Sequence, residues 1–149
     1  GTENLAAIAG FGAAADMAVE MLPEAGKLAA RRDAFEARMC EAASDLVIHG
    51  VAAPRLGNTS YFSLPGMKAE TAQIAFDMEK IAVSSGSACS SGKVGPSHVL
   101  KAMAADADLG AVRVSIGQGT SDADIDAFLE AFNKINTRRL ARLAGQNAA

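Results

Sequence analysis

The residues best placed to do chemistry lie in a stretch of mostly small side chains, residues 84–96. It reads Ser-Ser-Gly-Ser-Ala-Cys-Ser-Ser-Gly-Lys-Val-Gly-Pro. Gly86, Gly92 and Gly95 leave its backbone cheap to rearrange. Cys89 sits at its centre, between Ala88 and Ser90. A cysteine that serves packing normally lies on an apolar face of an element. A thiol in a polar, small-residue segment is instead placed to react. Lys93 and His98 are near in sequence, and positive charge nearby favours the nucleophilic thiolate. A surface loop that holds an inert cysteine fits the spacing equally well. A phosphate cradle fits worse, because the pattern of Gly, four residues, then Gly-Lys-Ser/Thr is missing.

The second candidate is Arg113. Val112, Val114 and Ile116 alternate with Arg113 and Ser115, which predicts a strand with its valines on one face and Arg113 on the other. A guanidinium fork is the usual grip on a carboxylate. By position alone an ordinary surface arginine fits better. Cys40, beside the apolar stripe of a predicted helix, reads as a packing thiol. His49 reads as a strand-end polar residue. His49 and His98 lack the cysteine or carboxylate spacing of a metal site, and two cysteines are too few for a disulfide framework or a structural zinc. No Ser-His-Asp set can be argued.

These residues need elements to hold them. Leu5, Ile8, Gly12, Ala15, Val19 and Leu22 predict a first helix, with Thr2 or Asn4 as its cap. Pro23 ends that run and can open a second helix. The second helix carries Leu28, Phe35, Met39, Ala42 and Leu46 on one face, with Arg31, Arg32, Glu36 and Arg38 on the solvated side. Short strands are predicted at 46–48, 59–64, 81–83 and 112–116, and helices at 68–79 and from Ser97 through Met103. Ser121 and Asp124 form a capping box. It opens a last helix with Ile125, Phe128, Leu129, Phe132 and Ile135 on one stripe, and with Arg138, Arg139 and Arg142 near its end, where positive charge suits the dipole. The order predicts an α+β fold, a small mixed or antiparallel sheet with helices on one side.

Composition narrows the partners. The chain has 149 residues and a net charge of −3, which suits one domain and supplies no basic field for nucleic acid. Alanine accounts for 33 residues and favours helix. No apolar run is expected to reach the ~18 residues of a membrane span. No secretory leader opens the chain, so a reducing, cytoplasmic setting is expected. The start at Gly1, without an initiator Met, suggests a chain cut from something longer.

The motifs together resemble a known family. Residues 81–91, Ile-Ala-Val-Ser-Ser-Gly-Ser-Ala-Cys-Ser-Ser, are similar to the active-site loop of cysteine desulfurases, which belong to the class V aminotransferase group. The long loop followed by Pro96-Ser97-His98-Val99-Leu100-Lys101-Ala102-Met103 resembles the branch that feeds iron–sulfur cluster assembly. Val112-Arg113-Val114-Ser115-Ile116-Gly117 resembles that family's Arg-x-Ser-x-Gly strand. Gly1-Thr2-Glu3-Asn4, Arg55-Leu56-Gly57-Asn58-Thr59-Ser60 and the helix start at Thr120-Ser121 fit as well. The resemblance covers essentially the whole chain.

It implies the C-terminal small domain of a fold-type I pyridoxal-phosphate enzyme. Residues 1–45 would be lead-in helices, and 46–149 a small α+β domain with the cysteine loop at 84–96. In such an enzyme L-cysteine becomes L-alanine and a persulfide remains on Cys89. A mobile loop then presents that persulfide to an iron–sulfur scaffold or other sulfur-acceptor protein. Arg113 would pair with the substrate carboxylate, and Thr2 would bind the cofactor phosphate across a homodimer interface. No metal site is implied, although Cys89 can contact a nascent iron–sulfur cluster. The family's cofactor lysine, which follows a Ser-x-His-type segment on the large domain, has no match here. The large cofactor domain is therefore absent from this chain, and the isolated piece is expected to be inactive. A selenocysteine lyase-type enzyme and a non-catalytic sulfur-carrier or docking module are the alternatives.

Overall fold

The computed structural model describes residues 1–85 and 97–147. The chain runs α1 (Leu5–Met21), a single 3-10 turn (Leu22–Glu24), α2 (Ala25–Ala42), β1 (Val47–Ile48), β2 (Thr59–Ser63), α3 (Ala69–Met78), β3 (Ser84–Ser85), α4 (His98–Ala102), β4 (Val112–Ser115) and α5 (Asp122–Asn147). The four strands form one antiparallel sheet in the order β1-β2-β4-β3. This is the expected α+β arrangement, with a wholly antiparallel sheet.

Strand alternation sets the layers. In β4 Val112 and Val114 are buried while Arg113 and Ser115 are exposed, as a half-buried strand requires. Ser60 and Phe62 of β2 share the inner face with the two valines through the pairs Ser60–Val114 and Phe62–Val112. Aromatic contacts join the helices to that face. The Phe128 ring of α5 stacks on Phe76 of α3 at 5.4 Å and meets Phe35 of α2 edge-on at 5.7 Å. Phe132 meets Phe62 edge-on at 6.0 Å. Pairs in these geometries add to the gain from area burial. The core thus lies between the sheet and α2, α3 and α5.

The helix ends follow local chemistry. Asn4 caps α1, its Oδ1 accepting from Ala7 N at 3.1 Å, so Asn4 rather than Thr2 is the cap. Ser97 caps α4. The capping box at α5 is complete: Asp124 N donates to Ser121 Oγ and Ser121 N donates to Asp124 Oδ2. The bonds that Asp124 Oδ2 accepts from Ser121 N and from Ser121 Oγ hold this carboxyl below the usual carboxylate range.

Several sequence expectations need correction. The strand predicted at 81–83 lies instead at Ser84–Ser85, while Ile81 and Val83 pack against the core. Cys40 is exposed on α2 and is not a packing residue. Arg32 and Glu36 are buried, not solvated. They are satisfied by ties to the 50–57 loop: Arg55 grips both Glu36 oxygens at 2.8 Å, and Arg32 donates to Leu56 O and to Asp33. Gly57 permits this approach, since a Cβ there would stand 3.0 Å from Ala29. Helix α5 runs past the expected dipole arginines, and each of them has a specific partner. Arg138 pairs with Glu79, Arg142 donates to Gly66 O, and Arg139, 1 % exposed, grips both Asp45 oxygens at 2.6 and 2.7 Å.

The absence of a span-length apolar stretch also does not hold. The helical stretch Leu5–Ala42 is 38 residues long and contains an 18-residue window of mean hydropathy 1.5, none of it buried, so by length and composition it is sufficient to cross a membrane. Alanine raises that average although Asp16 and Glu20 interrupt α1. α1 carries no buried residue.

Candidate functional site

The sheet's outer face carries the candidate chemistry. Ladder pairs place Tyr61 of β2 directly across from Arg113, and Ser84 of β3 across from Arg113 on its other side. His49, just past β1, continues the same row, because its backbone N donates to Tyr61 O at 2.8 Å. A row of His49, Tyr61, Arg113 and Ser84 therefore crosses all four strands on the face turned away from the core. Arg113 is exposed on it, as alternation predicts.

Arg113 differs from the chain's seven other arginines. Arg31, Arg32, Arg38, Arg55, Arg138, Arg139 and Arg142 each have a hydrogen-bond or ion-pair partner. Among the described residues Arg113 has none. A guanidinium offers five donors in a fixed fork, and none of the five bonds to a described residue.

The neighbours of Arg113 are held firmly. His49 is buried, and burial lowers its pKa, so the ring is neutral near pH 7. Ser63 Oγ donates to Gly110 O at 2.6 Å and lies 2.8 Å from His49 Nε2. A hydroxyl has one proton to give. With that proton on Gly110 O, Ser63 Oγ must accept from His49 Nε2–H, and this sets the tautomer. The His49 ring then lies against Tyr61, with centroids 5.4 Å apart. In the sequence His49 reads as a strand-end polar residue and Tyr61 carries no chemical signal. The pairing of their strands is not visible in the sequence.

Cys89 and Lys93 lie outside the described residues, as does the expected mobility of residues 86–95. The entrance to that stretch is described. Ser84 pairs with Arg113 and Ser85 with Val112, and Ser85 Oγ donates to Gln73 of α3. His98 opens α4 and is exposed. Thr2 stands in an exposed segment before α1. Among the described residues no three His, Cys, Asp or Glu side chains gather as a metal site would require.

A cleft between the segment that follows α3, β4 and the start of α5 is lined by Lys80, Ile81, Val114, Ile116, Asp124 and Phe128, among others. It does not include Arg113. The described residues do not form a cradle for pyridoxal phosphate. Thr2 is a single exposed hydroxyl, and Lys80 of the cleft sits in a strained turn with φ 64°.

The family profile for class-V aminotransferases matches residues 1–128. The chain is 36% identical over 138 residues to the cysteine desulfurase IscS of Dictyoglomus turgidum, covering 91% of this chain and 35% of the relative. It is 40% identical over 144 residues to a cysteine desulfurase of Bradyrhizobium diazoefficiens, covering 95% and 36%. Among solved structures, a NifS-like protein from Rickettsia africae superposes with a TM-score of 0.79 at 31% identity, covering 92% of this chain and 36% of that one. The chain thus spans about a third of the length of the relatives it matches. On its profile match and these relatives together, the chain belongs to the class-V aminotransferase family.

Proposed function

We propose that this chain is the small-domain portion of a cysteine desulfurase, in which Arg113 binds the carboxylate of L-cysteine and Cys89 takes the sulfur. One observation carries the reading. Arg113 is the arginine without a protein partner among the described residues, and it is paired across a ladder with the strand that leads to Cys89. The names of the relatives favour this over a selenocysteine lyase-type enzyme or a non-catalytic carrier.

The substrate's C–S bond breaks, and its sulfur bonds to the Cys89 sulfur. The Cys89 thiol proton is accounted for in the new methyl group of L-alanine, and a persulfide is left on Cys89. Arg113 holds the substrate carboxylate through two parallel hydrogen bonds. The described residues form no cradle for pyridoxal phosphate. The resemblance assigns that cofactor to a large domain outside the residues of this chain, with Thr2 reaching its phosphate.

A persulfide must leave the site to be used, which fits a glycine-rich carrier segment and a sulfur-acceptor protein of the iron–sulfur scaffold kind. Homodimerisation and a cytoplasmic setting belong to the same reading. Asp16 and Glu20, four residues apart on α1, are costly in a bilayer and favour a protein environment for that helix. The test is direct. The complete polypeptide that carries this chain, supplied with pyridoxal phosphate, L-cysteine and a thiol reductant that provides the two electrons for freeing the persulfide sulfur as sulfide, is expected to release L-alanine and sulfide in equal amounts. Alanine release absent under those conditions would overturn the assignment.

A further inference from the structure

The row across the sheet's outer face contains a bulky residue on one side of Arg113 and a small one on the other. Tyr61 stands opposite it on β2, and Ser84 opposite it on β3. Side chains directly opposite on one face have Cβ atoms about 5 Å apart. A tyrosine ring at that distance takes up the space on the β2 side, while serine leaves the β3 side open. The open side is the strand that leads toward Cys89.

Tyr61 is itself braced. Its ring lies against the His49 ring at 5.4 Å. The His49 ring is tied through Nε2 to Ser63 Oγ, and that hydroxyl is tied to Gly110 O. Gly110 has φ +73°, and a Cβ there would come 2.9 Å from the Ala69 Cβ. The chain of contacts thus ends on backbone that cannot readily shift. The Tyr61 hydroxyl makes no hydrogen bond among the described residues, so the ring is the part that matters.

We propose that Tyr61 is a positioning residue for Arg113: its ring, backed by His49, walls the β2 side of the carboxylate site and directs the guanidinium toward β3. The proposal rests on the carboxylate-binding reading of Arg113. It makes Tyr61 a determinant of substrate affinity, not of the sulfur-transfer step.

The experiment compares Tyr61→Phe, Tyr61→Val, Arg113→Ala and the double variant Tyr61→Val/Arg113→Ala in the complete, cofactor-loaded polypeptide, with KM and kcat for L-cysteine and thermal midpoints measured for each. Valine keeps a strand-forming side chain, so folding is retained while the ring is lost. Tyr61→Val is expected to raise KM about 5-fold with kcat held, and Tyr61→Phe restores the wild-type KM. In the Arg113→Ala background, Tyr61→Val adds nothing further. An unchanged KM in Tyr61→Val, or a full extra 5-fold rise in the double variant, overturns the positioning role while leaving Arg113 in place. An unchanged KM in Arg113→Ala overturns the carboxylate reading, and the Tyr61 proposal with it.

Discussion

Ser84 stands opposite Arg113 across the β3–β4 ladder. Cys89 follows Ser84 by five residues, and five residues of extended chain span at most about 18 Å. Covalent connection alone therefore keeps the Cys89 Cα within that distance of the Ser84 Cα. In the proposed reaction the carboxylate that Arg113 holds and the sulfur that Cys89 attacks belong to one small substrate, and a tether of this length does not forbid the two roles.

Replacing Arg113 should weaken substrate binding without harming the fold, because the side chain is exposed and no other described group depends on it. Arg113→Ala is expected to raise KM for L-cysteine roughly 10- to 100-fold, the range for losing hydrogen bonds to a charged group. Arg113→Lys should recover only part, since an ammonium cannot form the two-pronged contact. Steady-state kinetics with thermal midpoints checks both, and equal thermal midpoints are expected.

His49 should make stability depend on pH near neutrality. Burial favours its neutral form, so its folded pKa lies below the unfolded value of about 6.5. Between those two values the unfolded chain binds more protons, and stability falls as pH falls. The contribution is complete above about pH 6.5 and is lost as pH drops through the folded value. The drop in thermal midpoint from about pH 7.5 to about pH 5.5 should be smaller in His49→Gln than in wild type.

Asp45 acts on the acid side. The hydrogen bonds from Arg139, which outweigh the desolvation cost, hold its carboxyl below the usual range. Its contribution is present above the unfolded value of about 4 and is lost as pH falls through the lower, folded value. Asp45→Asn should cost roughly 1–3 kcal/mol at neutral pH. Arg139 stays buried and keeps Pro65 O and Asn136 as partners. Denaturant unfolding at about pH 7 and about pH 3 checks it, with the difference between variant and wild type shrinking at the lower pH.

Ser60 is a misfit of the inner face. Its hydroxyl is fully buried and has no hydrogen-bond partner among the described residues. Leaving a buried hydroxyl unpaired costs about 1–3 kcal/mol. Ser60→Ala should therefore stabilise the chain by up to about 1 kcal/mol after the small loss of packing. A higher denaturation midpoint with an unchanged slope is the expected result.

The elements whose sequence signal is local were legible. The β4 alternation, the Ser121–Asp124 box and the apolar stripe of α5 each follow from near neighbours, and each is present. What failed depends on distant partners. Arg32 and Glu36 look solvated on a helical wheel, but the 50–57 loop folds over them and Arg55 neutralises Glu36. Arg139 looks like a dipole residue but reaches Asp45, which lies 94 positions away. β3 is displaced to Ser84–Ser85 because pairing with β4 decides the strand, while apolar Ile81 and Val83 serve the core. The site divides in the same way. Alternation places Arg113 on the outer face, whereas the position of Tyr61 and His49 beside it follows only from ladder register.

The central claim is that Cys89 carries the transferred sulfur, and mass spectrometry of that cysteine tests it most directly. The complete polypeptide would be mixed with one equivalent of L-cysteine, alkylated and digested. The account predicts one additional sulfur atom on the peptide that spans Cys89, and loss of both that species and alanine release in Cys89→Ser. Undiminished alanine release and persulfide formation in Cys89→Ser would contradict it.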